Sequence, residues 1–381
     1  MDVSILAKDQ VSRTPTTGST MAAIYKAGAP AFVLSRYSVR RRRAVVCLVL
    51  IGLLVTSLIV SAAHGAAAIP YTDVARMLLR GLGLPIGLDL PQSDLTIIWS
   101  IRLPRVLLGA LVGAALASSG AALQGVFRNP LADPGLLGVS AGGALAAVLA
   151  IVSGVAAISL WTLPAFAFVG SLGASVLIYG LAATRGRINP ASLLLSGIAV
   201  NALLGAITSA VLLGTHDYNA IMAILNWLVG GLAGRGWEHL TVAVIPICAA
   251  MVGVFAYSRD LNLLLAGEET AQSLGVNVPQ VRLILLALTA VMTGAAVSIA
   301  GGIGFVGLIV PHLLRLIVGP DHRVLLPTAA LGGAVFLTLA DTVARLMLPP
   351  TELQVGIVTA LLGAPFFLFL LWRQRRVLNS W

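Results

Sequence analysis

About ten long apolar runs fill most of this chain, and each approaches the roughly twenty residues a helix needs to cross a hydrocarbon core. They cover 44–63, 104–126, 135–156, 160–183, 190–214, 238–257, 281–301, 303–319, 324–347 and 353–372, the seventh and eighth nearly touching around Gly301–Gly304. The runs are continuous and lack the period-2 alternation of barrel strands. They therefore predict an all-α polytopic membrane protein with about ten transmembrane helices. Composition excludes two soluble domains of the same total length. Of 381 residues 10% are charged and 58% hydrophobic, with a mean hydropathy of +0.98, whereas soluble domains carry about 25% charged residues. Glycine, 40 residues in all, recurs at small-xxx-small spacing in pairs such as Gly109/Gly113 and Gly138/Gly142. Such spacing lets backbones approach in lipid, where no hydrophobic drive joins helices.

Charge sets the expected orientation. Net charge is 24 − 14 = +10, and every Lys or Arg after Lys26 is arginine. With a cytoplasmic N-terminus, the loops on that side hold Arg128, Arg185 with Arg187, Arg259 with Arg282, Arg323, and terminal Arg373, Arg375 and Arg376, as the positive-inside rule requires. Both termini are then cytoplasmic. Residues 1–39 are polar, rich in Ser and Thr, and lack the apolar core of a signal peptide. They read as a mobile cytoplasmic tail ahead of a single transmembrane domain, 40–381. Membrane topology accounts for the basic excess, so no nucleic-acid partner is implied. Arg76, Arg80, Arg102, Arg105, Arg235 and Arg345 break the rule by falling on the outer side. Lipid headgroups explain Arg76 and Arg80; the other four fit a docking surface for a protein.

Several chemistries are excluded by what is missing. A phosphate-binding G-x4-G-K-[ST] loop needs a lysine, and the two lysines, Lys8 and Lys26, both lie in the tail. No H-E-x-x-H or Cys/His cluster occurs, and Cys47 and Cys248 both sit in apolar runs, so no metal site is expected. Asp341 is the one clear carboxylate inside a run, and Arg345 lies one helical turn away, placed for an i,i+4 ion pair. That scarcity of acidic relay positions disfavours a proton-coupled carrier. Arg102-Leu-Pro-Arg105 opens the second run, with Pro104 expected in a first turn. Gln124 and the stretch Arg128 to Gly135 close that run. Its two prolines forbid a continuing helix, and Asn129 and Asp133 can cap the next one or face a pore. In the longest charged loop, 259–282, the segment Gly267 to Gly275 suits a short helix ended by Gly275 at C′.

These stretches carry a resemblance. The chain is similar to the FecCD-type permeases, the membrane subunits of type II ATP-binding-cassette importers for vitamin B12, ferric siderophores and haem. The similarity lies in R-L-P-R at 102–105, Gly113, Gly120 and Gln124, and R-N-P-L-A-D-P-G-L-L-G at 128–138. It continues in W-L-V-G-G at 227–231, A-G-E-E-T-A-Q-S-L-G at 266–275, G-x-I-G-F-V-G-L-I-V-P-H-x-x-R at 301–315, D-T-V-A-R at 341–345 and G-A-P-F at 363–366. The resemblance implies a multi-pass permease of the inner (plasma) membrane that forms a homodimer. Its implied partners are two cytoplasmic ATPase subunits, which carry ATP and magnesium, and a periplasmic binding protein; this chain holds no cofactor. Overall likeness points to haem as cargo, with ferric siderophore or cobalamin as alternatives. Residue by residue, Asn129 and Leu131 match the cytoplasmic gate, and a second constriction falls on Asn189 and Ser192. Gly267, Glu268, Ala271, Leu274 and Gly275 match the helix that couples to the ATPase. Arg102, Arg105 and Arg345 match the arginines that receive the binding protein. His216 and Tyr218, at the outer end of the fifth run, are candidates to touch haem iron or to serve as a plain helix end.

Overall fold

The computed structural model describes residues 29–65, 69–81, 83, 91–184, 187–188, 190–348 and 351–378. The chain divides into two units, Met1–Val45 and Val46–Trp381, and the elements below belong to the second except for the part of α1 before Val46. Helices dominate. In chain order they are α1 (Ala29–Ala63), α2 (Tyr71–Gly81), α3 (Gln92–Phe127), α4 (Val139–Val152), α5 (Thr162–Ala182), α6 (Pro190–Leu213) and α7 (Tyr218–Val229). Then follow α8 (Trp237–Ala256), α9 (Ser258–Leu265), α10 (Glu268–Ser273), α11 (Val278–Ala300), α12 (Val306–Val318), α13 (His322–Met347) and α14 (Val355–Leu378). One two-residue pair, Ala183–Thr184 against Arg187–Ile188, joins α5 to α6 in antiparallel register.

Seven of these helices are long and apolar enough to cross a membrane, and four more, α4, α7, α12 and the apolar part of α14, are apolar but shorter. Every predicted run carries a helix. The short ones have local causes: α4 is delayed by the irregular stretch after α3, and α12 starts only after the non-helical Gly301–Gly304. Helix α7 has no counterpart among the predicted runs, because its 12 residues are too few to register as a span. Two boundaries differ from the sequence reading. Helix α1 begins at Ala29, so only 1–28 of the expected tail lie outside the described residues. Helix α3 begins at Gln92 rather than at Pro104. Ile97–Arg102 form a π-helical stretch directly before that proline. The wider turn takes up the break that a missing N–H makes in the hydrogen-bond ladder.

Helix α3 is the axis of the bundle. Its most apolar stretch is 83% buried, against 17% for α1 and for α6. It packs most extensively on α13. At their crossing a Cβ added to Gly113 would overlap the carbonyl of Gly333, and one added to Gly333 would overlap that of Gly113. Gly120 meets the carbonyl of Gly307 on α12 in the same way. Backbones in van der Waals contact supply the dispersion attraction that holds helices together in lipid.

Candidate functional site

At one end of the bundle the C-terminus of α1, the first α-helical turn after the π stretch of α3 and the last turns of α13 converge. A helix ends with carbonyls that lack intrahelical partners, and α1 has no basic residue in its last turn. Its neighbours provide the cations. Arg102 Nη1 donates to the carbonyls of Ala62 and Ala63 at 2.9 and 2.8 Å. Arg345 donates to the carbonyls of Ser61 and His64 at 3.0 and 2.9 Å and to Ser61 Oγ at 2.7 Å. Asp341 lies beneath. It takes a bidentate pair from Arg105, with Nη2 at 2.9 Å and Nε at 3.1 Å, and forms an ion pair with Arg345, whose Nε lies 3.2 Å away without a hydrogen bond. Arg105 Nη1 reaches Glu352 at 2.7 Å. The predicted Asp341–Arg345 turn pair is therefore present. The predicted docking arginines, however, are 6%, 9% and 8% exposed for Arg102, Arg105 and Arg345. They form an internal clamp on α1, α3 and α13 and offer a partner no exposed guanidinium. Among the outer arginines, Arg76 and Arg80 on α2 are the exposed ones.

At the other end of α3, Arg128 adopts a left-handed conformation (φ 49°) and stops the helix. Asn129 Oδ1 then accepts from the Leu131 N–H at 2.9 Å, and Asp133 Oδ1 from the Gly135 N–H at 2.8 Å, so both carboxamide and carboxylate shape their own loop. The carbonyls of Gly135 and Leu137 are satisfied by Asn201 on α6 and Ser175 on α5. Irregular backbone is thus buried in protein, as a membrane requires. This stretch faces the other interruption of the bundle, Gly302–Gly307, across a cavity of about 270 Å³ that Asp133, Ser140 and Thr293 also line. Burial pushes the Asp133 carboxyl up from its ordinary range, and the Gly135 N–H opposes that shift. Asn129, Leu131 and Ser192, in the first turn of α6, are half-buried; Asn189 lies outside the described residues.

The predicted coupling segment resolves into α9 and α10. Gly275 (φ 87°) ends α10 with its N–H on the Gln272 carbonyl and the Val276 N–H on that of Ala271, a Schellman ending. Glu268 forms an ion pair with buried Arg282 on α11. Ala271 is fully buried and Leu274 is 60% exposed, so Leu274 is the apolar side chain available to a neighbour. Asn262 on α9 accepts from the His322 N–H and donates to Asp321 Oδ1, both at 2.8 Å, tying this segment to the start of α13.

His216 and Tyr218 are exposed beside the start of α7, where Asp217 caps the helix through the Asn219 N–H. Neither lines the nearby cavity of about 570 Å³, whose walls include Asp217, Asn219, Asn226, Trp227, Arg235 and Gln354. Sequence reasoning did not single out Asn226 or Gln354; their signal is polarity within otherwise apolar stretches. Trp227 was visible within W-L-V-G-G.

Comparison with known proteins gives a consistent result. The chain matches the FecCD transport family over residues 53–373. It is 46% identical over 356 residues to the cobalamin import system permease protein BtuC of Halobacterium salinarum, covering 85% of this chain and 95% of that one. It is 50% identical over 285 residues to the hemin transport system permease protein HmuU of Yersinia pestis, covering 73% and 84%. A solved structure described as an inward-facing conformation of a metal-chelate type ABC transporter superposes with a TM-score of 0.74 at 32% identity, over 86% of this chain and 98% of that one.

Proposed function

The chain belongs to the FecCD transport family, and from that premise we propose that it is the permease of an importer that moves haem from a periplasmic binding protein to the cytoplasm. Membership makes it a multi-pass membrane permease of a type II ATP-binding-cassette importer. The cargo reading rests on one observation, the 50% identity to a hemin permease. Cobalamin is the second reading, favoured by 46% identity that spans 95% of a cobalamin permease. In the proposed assembly two copies enclose one pathway, and a separate ATPase pair docks on the α9–α10 segment. The binding protein delivers cargo at the clamp end, and docking on Arg102, Arg105 and Arg345 requires these guanidinium groups to turn outward from the clamp. Asn129, Leu131 and Ser192 narrow the opposite end, and hydrolysis belongs to the partner subunits.

The test is uptake by proteoliposomes containing the permease, its ATPase and its binding protein. ATP-dependent accumulation of haem, with little of cyanocobalamin, is the expected outcome. Accumulation of cyanocobalamin alone would overturn the haem reading and leave the importer intact. Uptake of haem without the ATPase would overturn the importer.

A further inference from the structure

Arg235 sits in the connection between α7 and α8, at the clamp end of the bundle, and lines the 570 Å³ cavity. Among the described residues it makes no ion pair. Its one polar contact is Nη1 to His239 Nε2 at 3.3 Å, while its Nε is buried without an acceptor. His239 Nδ1 also lies 3.3 Å from the Gly236 N–H, and a neutral imidazole has a single acceptor nitrogen, so the ring can accept from Arg235 or from Gly236 but not from both. Trp227 lines the same cavity, is 6% exposed, and its Nε1–H is also buried without an acceptor. Buried donors are normally paired, and leaving one unpaired costs more than a typical hydrogen bond contributes. Two such donors beside one cavity, with an arginine that has no carboxylate partner, favour a ligand rich in acceptors. Gln354 and Asn226, joined at 3.2 Å, add amide groups to the wall. Asp217 is the one carboxylate lining the cavity, and it is committed to the Asn219 N–H.

We propose that this cavity is an anion-recognising subsite, in which Arg235 and Trp227 receive a carboxylate or phosphate group of the cargo as it leaves the binding protein. Arginine suits the task because its fork pairs with such groups bidentately, and the volume lies within the usual range for small-molecule sites. The subsite rests on the importer reading and deepens it, since haem, cobalamin and ferric citrate all carry carboxylate or phosphate groups.

The experiment measures ATP-driven uptake of haem, cyanocobalamin and ferric citrate by the reconstituted complex. For whichever cargo the native permease imports, Arg235→Gln should slow transfer from the binding protein about ten- to hundredfold, and Arg235→Lys by less. Affinity of the cargo-free binding protein for the complex should stay unchanged. Adding Asp217→Asn to Arg235→Gln should restore part of the rate by removing the opposing charge, a rescue that a merely structural role would not give. Native import unaffected by Arg235→Gln overturns the subsite alone. Import of none of the three overturns the importer reading and the subsite together. Should Arg235→Gln fail to fold, Trp227→Phe decides, because it deletes one unpaired donor and keeps most of the ring; unchanged transfer then overturns the proposal.

Discussion

Asp341 holds two buried guanidinium groups at once, which makes it the residue on which the clamp end depends. Removing one partner from a buried ion pair leaves an uncompensated charge and costs about 3–5 kcal/mol. Asp341→Ala leaves Arg345 without a carboxylate and Arg105 with only the exposed Glu352, so thermal unfolding in detergent should show a loss of about that order. Glu352 is different. Its side chain is 45% exposed, and an exposed partner contributes about 1 kcal/mol or less, so Glu352→Gln should unfold close to the native protein. Equal, small losses for both variants would show that the network contributes little to the fold. The same arginines decide between clamp and docking. Arg102→Glu should remove one of the two cations at the end of α1 and destabilise the permease, and a variant that folds normally but binds its partner more weakly would support the docking role.

Single elements show what the sequence could and could not convey. Hydropathy marks where helices lie, because the bilayer demands long apolar runs whatever their tertiary neighbours. It does not mark which face is inside, since in lipid both faces are apolar; α3 and α6 look alike as sequences, yet their burial differs fivefold. For Arg102 and Arg105 the positive-inside rule counts charges and cannot see the α1 carbonyls that Arg102 satisfies or the carboxylates that Arg105 pairs with. Helix α10 was legible, since Gly275 and the acidic first turn are local signals. Which of its side chains points inward was not. That orientation changes the coupling experiment. Ala271→Asp would bury a carboxylate at a fully buried position and should lower folded yield before any partner is added. Leu274→Asp sits at an exposed position and should leave unfolding unchanged while abolishing copurification with the ATPase. Copurification that survives Leu274→Asp in a folded permease would move the docking surface elsewhere.

The whole molecule joins these ends through α13. Its 26 residues span roughly 40 Å at 1.5 Å per residue. One end is tied to α9 through Asn262, and the other carries Asp341 and Arg345 of the clamp. A displacement of the coupling segment therefore acts on a helix that reaches both faces of the bundle, and on α3, its principal neighbour. In the proposed assembly, closure of the pathway belongs to two copies. Helices α1 and α6 are apolar yet only 17% buried within one chain, so each has surface for lipid or a second subunit. Asn129 and Leu131 are half-buried in a turn just ahead of Asp133, which lines the cavity shared with Gly302–Gly307, and the Asn129 side chain holds the turn by accepting the Leu131 N–H. A rigid turn of this kind can meet its symmetry mate without refolding. Leu131→Cys, placed in a background lacking Cys47 and Cys248, the latter exposed and the former half-buried, should form a disulfide between two permease copies when the gate is shut. The bond requires Cα atoms within about 7 Å, so it reports separation directly. Cross-linking should depend on the nucleotide held by the ATPase, and the oxidised complex should lose uptake that a reductant restores. Absence of the cross-link in every nucleotide state would remove Leu131 from the gate, and a cross-link that leaves uptake intact would place the constriction elsewhere on the path.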